Sequence, residues 1–243
     1  CYINYMSLSL EEIAKNVQTC REKVAAALAK AGRNDGVTIV AAVKTQPKEL
    51  IEQVVRAGLI DNIGDNRVQE FMANYDPALK VNRHFIGRLQ TNKVKYIIDK
   101  VCLIHSLDRD DLAYEIDRQA RKHSLTADCL VEVNMGSEIS KGGVEPEEAL
   151  SFAESVKKYP NVRVKGLMSV LPNTDDGEKL IAMYRDLHSL FLDMKERFDG
   201  IDILSCGMTN DYELAVTYGG SNMIRPGRVL FGDRVYKTEQ ING

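Results

Sequence analysis

Thr38-Ile39-Val40-Ala41-Ala42-Val43-Lys44 is the stretch that decides the fold. It runs β-branched or apolar without alternation and stops at a lysine. Alternation marks a strand with one wet face, whereas a continuous short apolar run marks one buried on both faces, as parallel strands are. Leu130-Val131 repeats the pattern, and similar short runs recur along the chain. Eight strands are expected: Thr38–Val43, Asp61–Gly64, His84–Gly87, Cys102–His105, Cys129–Val133, Val164–Met168, Ile201–Leu204 and Asn222–Arg225. The amphipathic stretches between them predict helices beginning near Pro47, Arg67, Asn92, Asp108, Pro146, Gly177 and Asn210. Asp108 with Asp111, and Pro146 just inside its helix, are start signals.

Eight βα units in 243 residues predict an α/β chain folded as a (β/α)8 TIM barrel. An open doubly wound sheet is the alternative, because closure of the strands is not legible in a sequence. One extra helix leads in. Ser9 and Glu12 form a capping box, Ile13, Val17, Cys20, Val24 and Leu28 make a stripe at spacings of three and four, and Gly32 is the stop. No linker, low-complexity tract or domain break interrupts the chain, so one domain over 1–243 is expected. Residues before about 7 read as added, processed or disordered sequence.

Composition bounds the function. Lys and Arg number 32 against 35 Asp and Glu, a net charge of -3, which argues against a nucleic-acid scaffold or a polybasic membrane binder. No window approaches the ~20 apolar residues of a membrane span, and the N-terminus lacks a signal peptide's basic start and long apolar run. Cys1, Cys20, Cys102, Cys129 and Cys206 are scattered with no C-x-x-C pair, as expected of reduced thiols in a cytoplasmic protein. Zinc spacing and H-E-x-x-H are absent, so no metal is expected.

In a barrel the chemistry stands at the C-terminal ends of the strands. At the first strand that place belongs to Lys44. Desolvation at an apolar mouth lowers a lysine's pKa and frees its amine to form a Schiff base with a carbonyl. The alternative is a lysine snorkelling to water. Ser205-Cys206-Gly207-Met208-Thr209-Asn210 after strand seven and Ile224-Arg225-Pro226-Gly227-Arg228 at strand eight combine small residues with a helix start, and barrels often bind phosphate at these two loops. Two ordinary turns are the plainer reading of either loop alone; together they favour phosphate. His84 and His105 fall at strand ends, where core histidines paired to backbone are the plainer reading. Asn66 follows strand two and reads equally as a helix cap. Glu132 reads as pointing into the barrel, Glu145–Glu148 reads as a solvated helix start, and Cys206 reads as a small packing residue.

From about Val37 to Phe231 an ordered set of motifs resembles the pyridoxal phosphate homeostasis protein family, single barrels related to the N-terminal domain of alanine racemase. The motifs are Ala42-Val43-Lys44-Thr45; Gly64-Asp65-Asn66-Arg67-Val68-Gln69-Glu70; His84-Phe85-Ile86-Gly87 with Leu89-Gln90-Thr91-Asn92-Lys93; and His105-Ser106-Leu107-Asp108. Later come Val133-Asn134, Glu138 through Lys141 to Gly143, Gly166-Leu167-Met168, Ser205-Cys206-Gly207-Met208-Thr209 with Asp211, and Arg225 through Gly227 to Phe231-Gly232.

The resemblance implies the cofactor pyridoxal 5'-phosphate (PLP), held as a Schiff base on Lys44. It places Ser205, Met208, Thr209, Gly227 and Arg228 at the phosphate, Arg225 opposite the pyridine nitrogen, Asn66 and His84 on the pocket wall, and Lys141 at a secondary contact or transfer role. Departures are Asp65 for a common glutamate, Thr209 for a serine, and Pro226 and Arg228 for an aliphatic and a small hydroxyl residue. The Arg228 side chain either adds a charged phosphate contact or turns outward. Arginine stays protonated and cannot hold a proton on the pyridine nitrogen, so the ring is a weak electron sink and aminotransferase chemistry is disfavoured.

The implied function is storage, buffering or delivery of PLP in the cytoplasm by a monomer, with PLP-dependent enzymes as clients and no catalytic residue assigned. A PLP-dependent amino-acid racemase is the second reading. It is disfavoured because the chain ends soon after strand eight, without the C-terminal domain that supplies a tyrosine in alanine racemases, and Tyr212 and Tyr218 read as packing or surface residues. A Schiff-base aldolase for a phosphorylated sugar, with Lys44 as nucleophile, is the third.

Overall fold

The computed structural model describes residues 8–136 and 142–232. The chain enters through α1 (Leu10–Lys30). Ser9 caps it as anticipated: its Oγ accepts from the Glu12 N–H at 3.2 Å and its own N–H donates to Glu12 Oε2 at 2.7 Å. Arg33 N–H reaches back to the Leu28 carbonyl and Gly32 N–H to Ala29, which closes the helix in a Schellman motif. The buried stripe Ile13, Val17, Cys20, Val24 and Ala27 packs on Leu50, Val54, Tyr212, Val216 and Leu230, so α1 is welded to the barrel's seam. Each large aliphatic buried there contributes about 1.5–3 kcal/mol.

The deciding stretch forms β1 (Thr38–Ile39) and β2 (Ala41–Ala42), separated only by Val40. β1 pairs with β9 (Met223–Ile224) and β2 with β3 (Asn62–Asp65), so one continuous stave changes partner at Val40 and joins the two edges of the sheet. Val40 N–H still donates to Ile224 and Ala42 N–H to Pro226, both at 2.9 Å, which carries the seam to the mouth. The remaining staves are β4 (Asn82–Phe85), β5 (Leu103–Leu107), β6 (Ala127–Val133), β7 (Val162–Ser169) and β8 (Ile203–Ser205). All pairings are parallel and the order is β1-β9-β8-β7-β6-β5-β4-β3-β2. The expected (β/α)8 barrel is the observed fold, and the open sheet is ruled out by the seam.

Helices α2 (Lys48–Arg56), α3 (Val68–Asn74), α4 (Asp110–Lys122), α5 (Ala149–Val156), α6 (Gly177–Arg197), α7 (Tyr212–Tyr218) and α8 (Arg228–Phe231) surround the staves. The expected helix near Asn92 is instead a 3₁₀ turn, Thr91–Tyr96. Val94 within it and Ile97 and Ile98 just beyond it are buried, a helix-like spacing, but Thr91, Val94, Ile97 and Ile98 are β-branched and Asn92 is a weak helix former, so the segment stays a short 3₁₀ turn. Asp108 does not cap α4. Arg109 stands at the cap, and the Asp108 carboxylate turns to the Arg109 guanidinium at 2.6 Å. Between β6 and β7 the register shifts at Cys129/Leu130, opposite Gly166 at φ +148°. A Cβ there would lie 1.8 Å from the Ile203 carbonyl oxygen, so only glycine lets β7 bend against β8.

Inside the barrel Val40, Ala42, Ile86, Leu103, Leu130, Met168 and Met223 form a small aliphatic core. The three larger cores are the one under α1, one around Phe71, Phe85 and Ile116, and one around Tyr184, Leu187 and Met194. Among the described residues no helix is long and apolar enough to cross a membrane.

Candidate functional site

The strand ends open into a cavity of about 850 Å³, lined by Lys44, Asn66, Met208, Thr209, Arg225 and Gly227 among others. Lys44 leaves β2 half-buried, carried there by the seam stave. Thr45, directly after it, has φ +67° and donates its hydroxyl to the Lys44 carbonyl at 2.5 Å. A β-branched residue pays strain for that conformation, which turns the chain sharply away beyond the lysine.

Asn66 stands just past β3. The residue that caps α3 is Arg67, and Asn66 faces the cavity instead, with its Oδ1 buried and without a hydrogen-bond partner among the described residues. Gly87 fixes this placement. A Cβ on it would come within 2.1 Å of the Asn66 carbonyl oxygen.

On the other side the β8 exit is braced from below. Asp211 Oδ1 accepts from the Met208 N–H at 2.6 Å, and its Oδ2 accepts from the fully buried Tyr184 hydroxyl at 2.7 Å. Thr209 Oγ1 accepts from the Gly227 N–H at 3.2 Å, which ties the loop after β8 to the loop after β9. The Thr209 and Asn210 N–H groups have no acceptor among the described residues. A turn that presents free N–H groups is an anion seat. Arg228 is exposed and donates to Asn210 Oδ1 at 3.2 Å, spanning the two loops along the rim.

Arg225 forms part of the cavity floor, although its side chain is almost wholly buried. Its Nη1 donates to Ser205 Oγ at 2.6 Å and its Nη2 to the Ser169 carbonyl at 2.9 Å. Burial lowers its pKa from the ordinary arginine value. Both hydrogen-bond acceptors are neutral, so the floor keeps a positive charge.

His84 and Ser205 are not in the lining. Both are buried beneath the floor, joined through His105. The histidines pair with side chains rather than with backbone, unlike the plainer expectation. Burial pushes His84 down to about 4, and burial with the nearby charges takes His105 well below its ordinary value, so both rings are neutral. Glu132 lies near Asp108 and outside the lining, pushed up to about 7 by burial and by the Asp108 charge. Cys206 is fully buried, its thiol pushed up to about 12, as befits a packing residue. Tyr212 is buried against α1. Glu138 and Lys141 lie outside the described residues, as do residues 1–7. The sequence reading did not single out the wall after β7, where Leu171, Pro172, Asn173 and Thr174 face the cavity. The turn-rich run Pro172-Asn173-Thr174-Asp175 at a strand's C-terminal end was the available signal.

A parallel barrel with a lysine at its first strand and an anion seat at its last two defines a class. Residues 8–235 match the model of the alanine racemase N-terminal domain, and the chain belongs to that family, in its branch of pyridoxal phosphate homeostasis proteins. Over 219 residues the chain is 42% identical to the pyridoxal phosphate homeostasis protein of Aquifex aeolicus, covering 88% of this chain and 95% of that one. The crystal structure of an unknown protein from Bifidobacterium adolescentis superposes with a TM-score of 0.82 at 32% identity, covering 91% and 95% of the two chains. PipY of Synechococcus elongatus, solved with PLP bound, shares the fold with a TM-score of 0.78 at 24% identity over 90% and 100%.

Proposed function

We propose that the chain binds PLP in the 850 Å³ cavity and keeps it covalently attached to Lys44 as a Schiff base, serving as an intracellular store and donor of the cofactor. PLP presents an aldehyde, a phosphate, a phenolic oxygen and a pyridine nitrogen, and the cavity offers a complement to each. Lys44 supplies the amine. The free N–H groups of Thr209 and Asn210, with the Arg228 guanidinium at the rim, suit the phosphate. The unpartnered carboxamide of Asn66 suits a polar ring substituent. Arg225 suits an electron-rich, unprotonated ring nitrogen.

The single observation that carries the reading is the pairing of Lys44 with the N–H seat of Thr209 and Asn210 across one cavity. PLP is named in the curated relatives and bound in the PipY structure, and both support the choice of aldehyde. The residue types favour holding over turnover. When bound, PLP supplies an electron sink, and a ring facing Arg225 is a weak one.

The setting is the cytoplasm, which the free thiols of Cys20, Cys102, Cys129 and Cys206 favour. The protein acts as a monomer, and PLP-dependent enzymes are its clients. The test is a visible-absorbance titration with PLP and with pyridoxal. PLP is expected to bind at least tenfold more tightly; equal affinities would remove the phosphate seat from the account.

A further inference from the structure

Beneath the cavity floor a chain of buried side chains crosses the barrel. Arg225 Nη1 lies 2.6 Å from Ser205 Oγ, Ser205 Oγ 3.1 Å from His105 Nδ1, His105 Nε2 3.0 Å from His84 Nδ1, and His84 Nε2 3.2 Å from Asn62 Oδ1. The chain links Arg225, just past β9, to β8, crosses the barrel to β5, and leaves through β4 toward the start of β3. Every link is side chain to side chain.

We infer that Arg225 fixes the direction of every proton in this chain, and that Ser205, His105 and His84 are positioning residues for the arginine rather than contacts of the phosphate. Arginine donates and cannot accept, so Ser205 Oγ accepts from it. The serine has one proton to give, and no acceptor for it other than His105 Nδ1 is within reach among the described residues. A neutral imidazole that accepts at Nδ1 carries its proton on Nε2. His105 therefore donates to His84 Nδ1, and His84 in turn donates from Nε2 to Asn62 Oδ1.

In this polarity each donor meets an acceptor. The reverse polarity has His105 donating to Ser205. It leaves the Ser205 hydroxyl proton stranded in a fully buried position, where polar groups are rarely left unpaired.

The consequence for the cavity is specific. The Ser205 proton is committed inside the protein and is not offered to a ligand. The serine instead gives the buried guanidinium a neutral acceptor. This holds Arg225 in the floor without cancelling its charge, as a carboxylate would.

The effect on ligand binding rests on the PLP reading above, whereas the proton positions do not. The primary test is nitrogen NMR of ¹⁵N-histidine-labelled protein free of cofactor, with His123→Gln and His188→Gln to assign the four histidines. Neutral rings at His84 and His105, each protonated on Nε2, are expected. A proton on His105 Nδ1 overturns the inference.

The second test is Ser205→Ala, read as affinity for PLP and for pyridoxal. Both are expected to weaken by roughly the same factor, about tenfold, leaving their ratio as in the parent. Thr209→Ala is expected to weaken PLP alone. A Ser205→Ala protein that loses affinity only for PLP overturns the positioning role. If neither aldehyde binds the parent protein, the proposed function fails while the histidine tautomers still decide the chain's polarity.

Discussion

Tyr184→Phe tests the brace under the anion seat. The tyrosine hydroxyl is buried and donates to Asp211 Oδ2 at 2.7 Å, while the other oxygen of the same carboxylate accepts from the Met208 N–H at 2.6 Å. Burial and the neighbouring Asp211 charge both raise the phenol's pKa, so the hydroxyl stays a donor at every working pH. Phenylalanine keeps the ring in the core of Leu187, Met194 and Leu204 and opens no cavity, so the hydrogen bond is the main loss. A hydrogen bond to a charged group contributes about 1.5–3 kcal/mol. For a domain of this size each kcal/mol shifts the melting temperature by about 2–4 °C, so a fall of roughly 3–12 °C is expected. Denaturant unfolding of both proteins at neutral pH measures the energy, and calorimetry measures the temperature. The looser loop should also weaken PLP by up to about tenfold, or 1.4 kcal/mol, and pyridoxal much less. A Tyr184→Phe protein with parental stability and parental preference for the phosphorylated aldehyde would refute the brace.

Other outcomes follow from neighbouring features. The Glu132 carboxyl is pushed up to about 7, so the folded state holds this proton more tightly than the unfolded chain does. Its contribution is fully present below about 4.5 and is lost as pH rises through about 7, on the order of 3 kcal/mol. Glu132→Gln should therefore flatten the decline in unfolding free energy between pH 5 and 8. Asp65, pushed up to about 6 by burial, acts in the same sense, so part of the slope remains. Unchanged pH dependence in the variant would contradict the assignment. Gly87→Ala places a methyl 2.1 Å from the Asn66 carbonyl oxygen and should cost about 1–3 kcal/mol of stability together with cofactor affinity. Parental affinity in that variant would detach Asn66 from the site.

The eight staves were legible because a strand buried on both faces leaves a continuous apolar run. Ile39 to Val43 and Leu130-Val131 carried that signal without help from tertiary contacts. Closure was not legible, since it depends on Val40 passing from one partner strand to the other, and hydropathy is the same on either side of it. The helix expected after β4 is a 3₁₀ turn because the apolar spacing of Val94, Ile97 and Ile98 reads as a helix face while the β-branched residues that make it, with Asn92, favour a helix poorly.

At the site, position along the barrel together with the family resemblance named Lys44, Asn66, Met208, Thr209, Arg225, Gly227 and Arg228, and all seven line one cavity. It could not separate a lining residue from one a layer below. Ser205 and His84 belong to that lower layer, and the contact that shows it, His105 to Ser205, joins residues 100 apart in the chain. Periodicity and turn chemistry report burial and local geometry; they are silent on which distant hydroxyl a buried imidazole meets.

The central claim is that Lys44 is the point of attachment. Borohydride reduction of the PLP-loaded protein, followed by peptide mapping, tests it most directly. One reduced pyridoxyl adduct, on Lys44, is expected, with loss of both the visible absorption and the adduct in a folded Lys44→Ala variant. An adduct trapped at another lysine of that variant, with occupancy equal to the parent's, would contradict it.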